Sequence, residues 1–168
     1  MASGDAVVQV LEIIPPGANG ALFDFRVGGS TPPEAVPVYD FPANAYAYLD
    51  FKCRLSGYDG NGLTLATPWS ASSATSGQVR WGAAIRRIAD DAEDIDNSHT
   101  YDYNEVSDTA PSASGEVSYP TITFADGVDM DNWDDGELAI VRVYRHYDHA
   151  DDNMSGDAEL WNLSGIES

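Results

Sequence analysis

The chain has 168 residues, with 28 acidic against 8 basic side chains, a net charge of −20 and a pI near 4.1. Its length suits one domain, and a hydrophobic fraction of 43% supplies a real core. The charge balance excludes nucleic acid as a partner, because nothing basic is dense enough to neutralise phosphates. No apolar run reaches membrane-spanning length. Cys53 is the only cysteine, which excludes an intramolecular disulfide and a thiolate metal cluster. Aspartate outnumbers glutamate 20 to 8, and Lys52 is the only lysine. Many short hydrated carboxylates with almost no lysine read as a surface for molar salt, where the Debye length falls to about 3 Å and self-repulsion is screened. The opening MASGDAVVQV has neither the basic nor the long apolar region of a secretion signal, so cytoplasmic synthesis is expected.

Residues 6–14 are rich in valine and isoleucine and stop at Pro15-Pro16, the pattern of a strand and its terminator. Residues 21–27 alternate, with Phe23, Phe25 and Val27 on one side and Leu22, Asp24 and Arg26 on the other. GGSTPPEAVP makes a stiff link, and its prolines place the short strand expected over 36–41 at a sheet edge. Residues 46–55 alternate most clearly. Ala47, Leu49, Phe51, Cys53 and Leu55 face inward, which makes Cys53 a buried, inert thiol, while Tyr46, Tyr48, Asp50, Lys52 and Arg54 face out. The Asp-Gly and Asn-Gly pairs of SGYDGNG are turn chemistry.

The stretch 62–88, GLTLATPWSASSATSGQVRWGAAIRRI, holds two strand patterns around a small polar loop. Leu63, Leu65, Thr67 and Trp69 share one face of the first; Val79, Trp81, Ala83 and Ile85 share one face of the second. Ile85, Ile88, Ala89 and Ala92 also fit a helical spacing. That helix would start on Arg86 and Arg87 and end on aspartates, against the macrodipole at both ends. A strand to about Ile88, followed by an acidic loop, is the better reading. Residues 99–106 alternate with Tyr101 and Tyr103 on one face, and 117–124 form another strand. DGVDMDNWDDG holds one helical turn, with Met130 and Trp133 spaced i, i+3, Asp129 as N-cap and Gly136 as stop. Residues 137–147 are nearly continuously apolar in their first half, as in a central strand covered on both faces, and 157–166 close the chain. This defines an all-β, single-domain β-sandwich over 1–168, jelly-roll-like, with about eight to ten strands.

Little in the chain reads as chemistry. His99, His146 and His149 lie in no nucleophile-elbow context, and His146 and His149, flanking an acidic turn, read as solvent-facing rather than as metal ligands. The acidic clusters 90–96, 126–135 and 148–157 lack calcium-loop spacing and read as hydrated loops. No catalytic residue, metal or cofactor is assigned, and the expectation is that the chain is not an enzyme. Trp69 and Trp81 lie on apolar strand faces and read as core. Trp133 and Tyr58, both in loops, are the candidate exposed contacts.

In the stretch 62–88, the chain resembles a group of small β-sandwich virion proteins of tailed viruses. A strand ending in tryptophan, the loop SASSATSG and the strand VRWGAAIRRI carry the likeness. IIPPGANGALFDFR, YDFPANAYAYLDF and the closing DAEL support it. The resemblance implies a jelly-roll-like virion component, assembled in the host cytoplasm and working in the virion. It implies viral capsid or other virion proteins as partners, no membrane, and a homo-oligomer, a trimer being favoured. The acidity departs from the group and points to a halophilic archaeal host. Decoration or cementing of the head exterior is the function it implies first. The alternative is a tail, fibre or turret module that recognises a host-surface glycan or protein.

Overall fold

The computed structural model describes residues 4–168; the first three residues of the stretch read as lacking a secretion signal lie outside it. Twelve strands are formed among the described residues: β1 (Ala6–Ile14), β2 (Leu22–Gly28), β3 (Glu34–Phe41), β4 (Ala47–Leu55), β5 (Leu63–Ala66), β6 (Trp69–Ala71), β7 (Gln78–Ile88), β8 (Asn104–Thr109), β9 (Thr121–Phe124), β10 (Leu138–Arg145), β11 (Ala158–Leu160) and β12 (Ser164–Glu167). They build two antiparallel sheets, a β-sandwich. The large sheet runs β8-β7-β10-β4-β1-β12-β5-β9 and the small one β2-β3-β11-β6. Among the described residues no helix is long and apolar enough to cross a membrane.

The apolar alternation decides which face of each strand turns inward. Leu49, Phe51, Cys53 and Leu55 of β4, Val79, Trp81, Ala83 and Ile85 of β7, and Ala139, Val141 and Val143 of β10 form one wall of the core. Phe41, Trp69, Ala71, Ala158 and Leu160 come from the small sheet. Trp81 sits where the walls meet, edge-on to Phe41 at 5.1 Å and to Trp69 at 6.0 Å between centroids. Cys53 is buried, and desolvation pushes its thiol up to about 12. β10 is central, between β4 and β7, as its apolar run requires, and β7 ends at Ile88, which settles strand against helix there.

Several local expectations are corrected. The pattern Leu63 to Trp69 is two strands, because Pro68 has no N–H for a ladder; β5 joins the large sheet and β6 the small one. The strand over 36–41 is longer, Glu34–Phe41, and lies inside the small sheet. It tolerates Pro37 because β11 pairs only with residues 39–41, which leaves the proline flanked by β2 alone. Strand structure begins at Asn104 and Thr121 rather than at 99 and 117. The turn at Val128–Met130 is 3₁₀ with Gly127 at its N-cap, so Asp129 is not the cap; its carboxylate takes the Ala125 N–H at 2.6 Å instead.

One buried ion pair holds the loop between β10 and β11 to the sandwich. Arg145 is fully buried and bonds Asp152 through Nε (2.8 Å) and Nη2 (2.6 Å). Its remaining donors reach the carbonyls of Phe41 (3.2 Å), Gly156 (2.9 Å) and Met154 (2.9 Å). Asp152 also accepts the Arg80 N–H at 3.0 Å. Arg86 performs a similar task for the acidic loop after β7, bonding Glu93 and the carbonyls of Asp94 and Asn97.

Candidate functional site

Tyr58 and Trp133, far apart in sequence, come together in one acidic depression of about 490 Å³, lined also by Asp59, Asp126, Asn132 and Asp134. Neither is the exposed contact expected. Trp133 is 1% exposed, its indole N–H donating to the Glu137 carbonyl at 3.0 Å, and Tyr58 is 9% exposed. The loop turns back through the left-handed residues Asp131 and Asn132, which aims the ring inward while the neighbouring carboxylates stay outside. Polar neighbours hid this; the i, i+3 spacing of Met130 and Trp133 was the available signal. The Tyr58 hydroxyl donates to Asp126 Oδ1 at 2.7 Å and accepts the Gly62 N–H at 2.8 Å. Burial, then the Asp126 bond, push it up to about 12. The pair therefore closes this end of the sandwich, and among the described residues no group of three or more His, Cys, Asp or Glu is set to hold a metal.

The richest constellation lies elsewhere, on the outer face of the large sheet. Antiparallel register puts Tyr48 and Asp50 of β4, Arg142 and Tyr144 of β10, Gly82 and Ala84 of β7, and Glu105 of β8 on that one face. The segment before β8 lays Tyr101 and Tyr103 over it. The Arg142 guanidinium lies between the Tyr48 and Tyr101 rings, 4.0 and 4.2 Å from their centroids, and is bidentate to Asp50 at 2.8 and 2.8 Å. Tyr103 packs on Tyr144 at 4.3 Å, Tyr144 on His146 at 5.5 Å, and His146 on His149 at 5.1 Å. Tyr46, 47% exposed, stands edge-on to Tyr147 at 4.9 Å. Tyr144 lies flat because residue 82 is glycine; a Cβ there would overlap the ring.

Glu105 organises the polar side of this row. It accepts from the Tyr144 hydroxyl and from Arg80 Nε (3.0 Å), and lies 2.8 Å from His146 Nδ1. Burial acts to raise its pKa, but these bonds outweigh it and hold the carboxyl below the usual range. Burial raises the pKa values of Tyr101, Tyr103 and Tyr144, so their hydroxyls remain protonated donors. His146 and His149 are thus half-buried members of the row, not free solvent-facing residues. Tyr144 is buried within this row, so the surface it offers is the partly exposed rims of Tyr48, Tyr101, Tyr103 and His146 beside fixed donors and carboxylates, which suits a polar, hydroxyl-rich ligand that packs on the rims and hydrogen-bonds there. The outward tyrosines of 46–48 and the Tyr101/Tyr103 alternation were visible in the sequence. Their convergence was not.

On the outer face of the small sheet, Arg26 pairs with Glu159 and donates to the Ala71 carbonyl at 3.0 Å. Ser70 Oγ bonds Glu159 at 2.8 Å and accepts the Trp161 indole N–H at 2.8 Å. Asp40, two strands from Ser70 on this face, is pushed up to about 6 by burial and then by the charges of Glu159, Asp157 and Asp24.

No protein-family model matches this sequence, and no curated protein matches it. Two solved structures resemble the chain at TM-scores below 0.5. It is similar to the family 11 carbohydrate-binding module of the cellulosomal cellulase Lic26A-Cel5E of Clostridium thermocellum, at 15% identity and a TM-score of 0.45, covering 95% of this chain and 90% of that one. It is also similar to the enzymatically active domain of tailspike protein 4 of bacteriophage CBA120, at 8% identity and a TM-score of 0.42. That match covers 98% of this chain but only 19% of the tailspike chain.

Proposed function

We propose that this chain is a non-catalytic recognition module on the outside of a virus particle, at a tail, fibre or vertex, and that it binds a host-surface glycan across the outer face of the large sheet. The observation that carries the reading is the row Tyr101, Tyr103, Tyr144 and His146 with Arg142 held between Tyr48 and Tyr101. Rings on the solvent side of a sheet are not required by the core. Here they are oriented by partly buried ion pairs and hydrogen bonds, which is how a binding surface is preorganised. The virion setting rests on the sequence resemblance across residues 62–88.

The test is binding of the full chain, in molar NaCl, to an array of host-surface polysaccharides, repeated with Tyr46→Ala and Tyr101→Ala. At least one polysaccharide should bind, and each variant should weaken it about tenfold with an unchanged melting temperature. An array without binding, or variants that bind normally, rejects the reading. Head decoration is the second reading, favoured by the uncovered strand edge described next. Copy number separates the two: hundreds per particle belong to decoration, a handful to some tens to a tail or vertex.

A further inference from the structure

Of the four sheet edges, three lie against another part of the chain among the described residues, and of these only β6 is hydrogen-bonded there through its backbone. β6 is flanked by the chain before β9: Trp69 and Ser118 exchange N–H···O bonds of 3.0 and 2.9 Å, and the Thr67 N–H donates to the Pro120 carbonyl at 3.1 Å. β8 and β9 end the large sheet but meet one another, with Asn104 Nδ2 donating to the Thr123 carbonyl at 2.7 Å. β2 ends the small sheet with no ladder on its far side. It is seven residues long, pairs with β3 without a bulge, and carries neither lysine nor proline. These are the devices that usually blunt an edge, and β2 lacks them. Its apolar side chains are also out in water: Phe23 is 55%, Phe25 52% and Val27 65% exposed.

We propose that β2 is a two-fold docking edge for a second copy of this chain, pairing antiparallel about Phe25. The direction of its free hydrogen bonds follows from its partner. Phe25 stands opposite Pro37, which has no N–H, so this is a non-hydrogen-bonded pair of the β2–β3 ladder and the Phe25 N–H points away from β3. Consistently, that N–H is taken at 2.7 Å by the neighbouring Asp24 carboxylate. By alternation, Phe23, Phe25 and Val27 all direct their N–H and C=O groups outward.

The sequence of β2 then selects the occupant. Turned antiparallel about Phe25, LFDFRVG is complementary to itself. Phe25 faces Phe25 of the second copy, Phe23 faces Val27, and the three outward residues of each strand form the hydrogen-bonded positions of a new ladder. Asp24 falls in register opposite Arg26 on both sides of the axis, so no like charges face one another, each Arg26 keeping its own pair with Glu159, and the interface is isologous. Docking transfers the Phe25 N–H from the Asp24 carboxylate to the partner carbonyl. The two small sheets join into one of eight strands. Because each copy carries −20, the association strengthens with salt.

Sedimentation velocity on the full chain, at low and molar NaCl, reads the association. The wild type should form a dimer that tightens with salt. Phe25→Pro removes an N–H that the β2–β3 ladder does not use and that only the adjacent Asp24 carboxylate takes; it should stay monomeric with native circular dichroism. Asp24→Arg should weaken the dimer about tenfold by setting like charges opposite. Under mild oxidation Phe25→Cys should cross-link to itself across the axis. Val27→Cys should not, because its counterpart lies four residues along; buried Cys53 contributes no background. A wild type that remains monomeric or sediments as a trimer, a Phe25→Pro variant that still dimerises, or Val27→Cys cross-linking as readily as Phe25→Cys overturns the proposal.

Discussion

Asp152→Ala is the most searching perturbation of this fold. Asp152 is the sole carboxylate on Arg145, and both side chains are essentially out of water, at 2% and 0% exposure. Removing it leaves a guanidinium charge uncompensated in the interior, which typically costs 3–5 kcal/mol. The Arg80 N–H loses its acceptor as well, adding roughly 1 kcal/mol. Together these match the low end of the stability of an ordinary domain, about 5–15 kcal/mol. Urea unfolding in molar NaCl should therefore show Asp152→Ala losing about 4–6 kcal/mol. Arg145→Met should lose a comparable amount, since it strips donors from three carbonyls and strands the Asp152 charge. The double variant Arg145→Met/Asp152→Ala removes both charges, and its loss should fall short of the sum of the singles by at least about 1 kcal/mol. If Asp152→Ala costs under about 1 kcal/mol, the value of an exposed pair, the claim that this ion pair anchors the loop is wrong.

Three further outcomes are expected. Gly82→Ala should cost about 1–3 kcal/mol by lifting Tyr144 off the sheet, and should weaken ligand binding at the aromatic row; an unchanged melting temperature would show that the ring has room. Asp40 has a folded-state pKa raised to about 6 from an ordinary 3.8, so the stability tied to its protonated form is complete below about pH 3.8 and is lost as pH rises through about 6. Asp40→Asn should accordingly raise the melting temperature at pH 7 and change it little near pH 4; equal shifts at both would count against the burial argument. Finally, the melting temperature of the wild type should climb steeply from low to molar salt as the repulsion among 28 carboxylates is screened, and a flat profile would count against a halophilic surface.

Period-two alternation is a local property, and it was enough to place the inward faces of β4 and β7 and to bury Cys53, Trp69 and Trp81. The misplaced charges of a helix over 82–94 were likewise sufficient to choose a strand, because the macrodipole penalty is written in the order of residues. What one strand does to another is not local. That Pro68 hands the chain from one sheet to the other follows from which ladder each flanking segment can join. That Trp133 turns inward depends on a left-handed reversal at Asp131 and Asn132 inside a stretch whose composition resembles solvated loop. The aromatic row exists only because β10 lies between β4 and β7, which lays Tyr144 over Gly82 with Tyr103 on it and sets Arg142 against Tyr48 and Tyr101. The openness of β2 is likewise decided by what fails to lie beside it. Residue types determined that this is an acidic sandwich with its tryptophans mostly inside; strand order, set by long-range pairing, decided where it presents a surface to anything else.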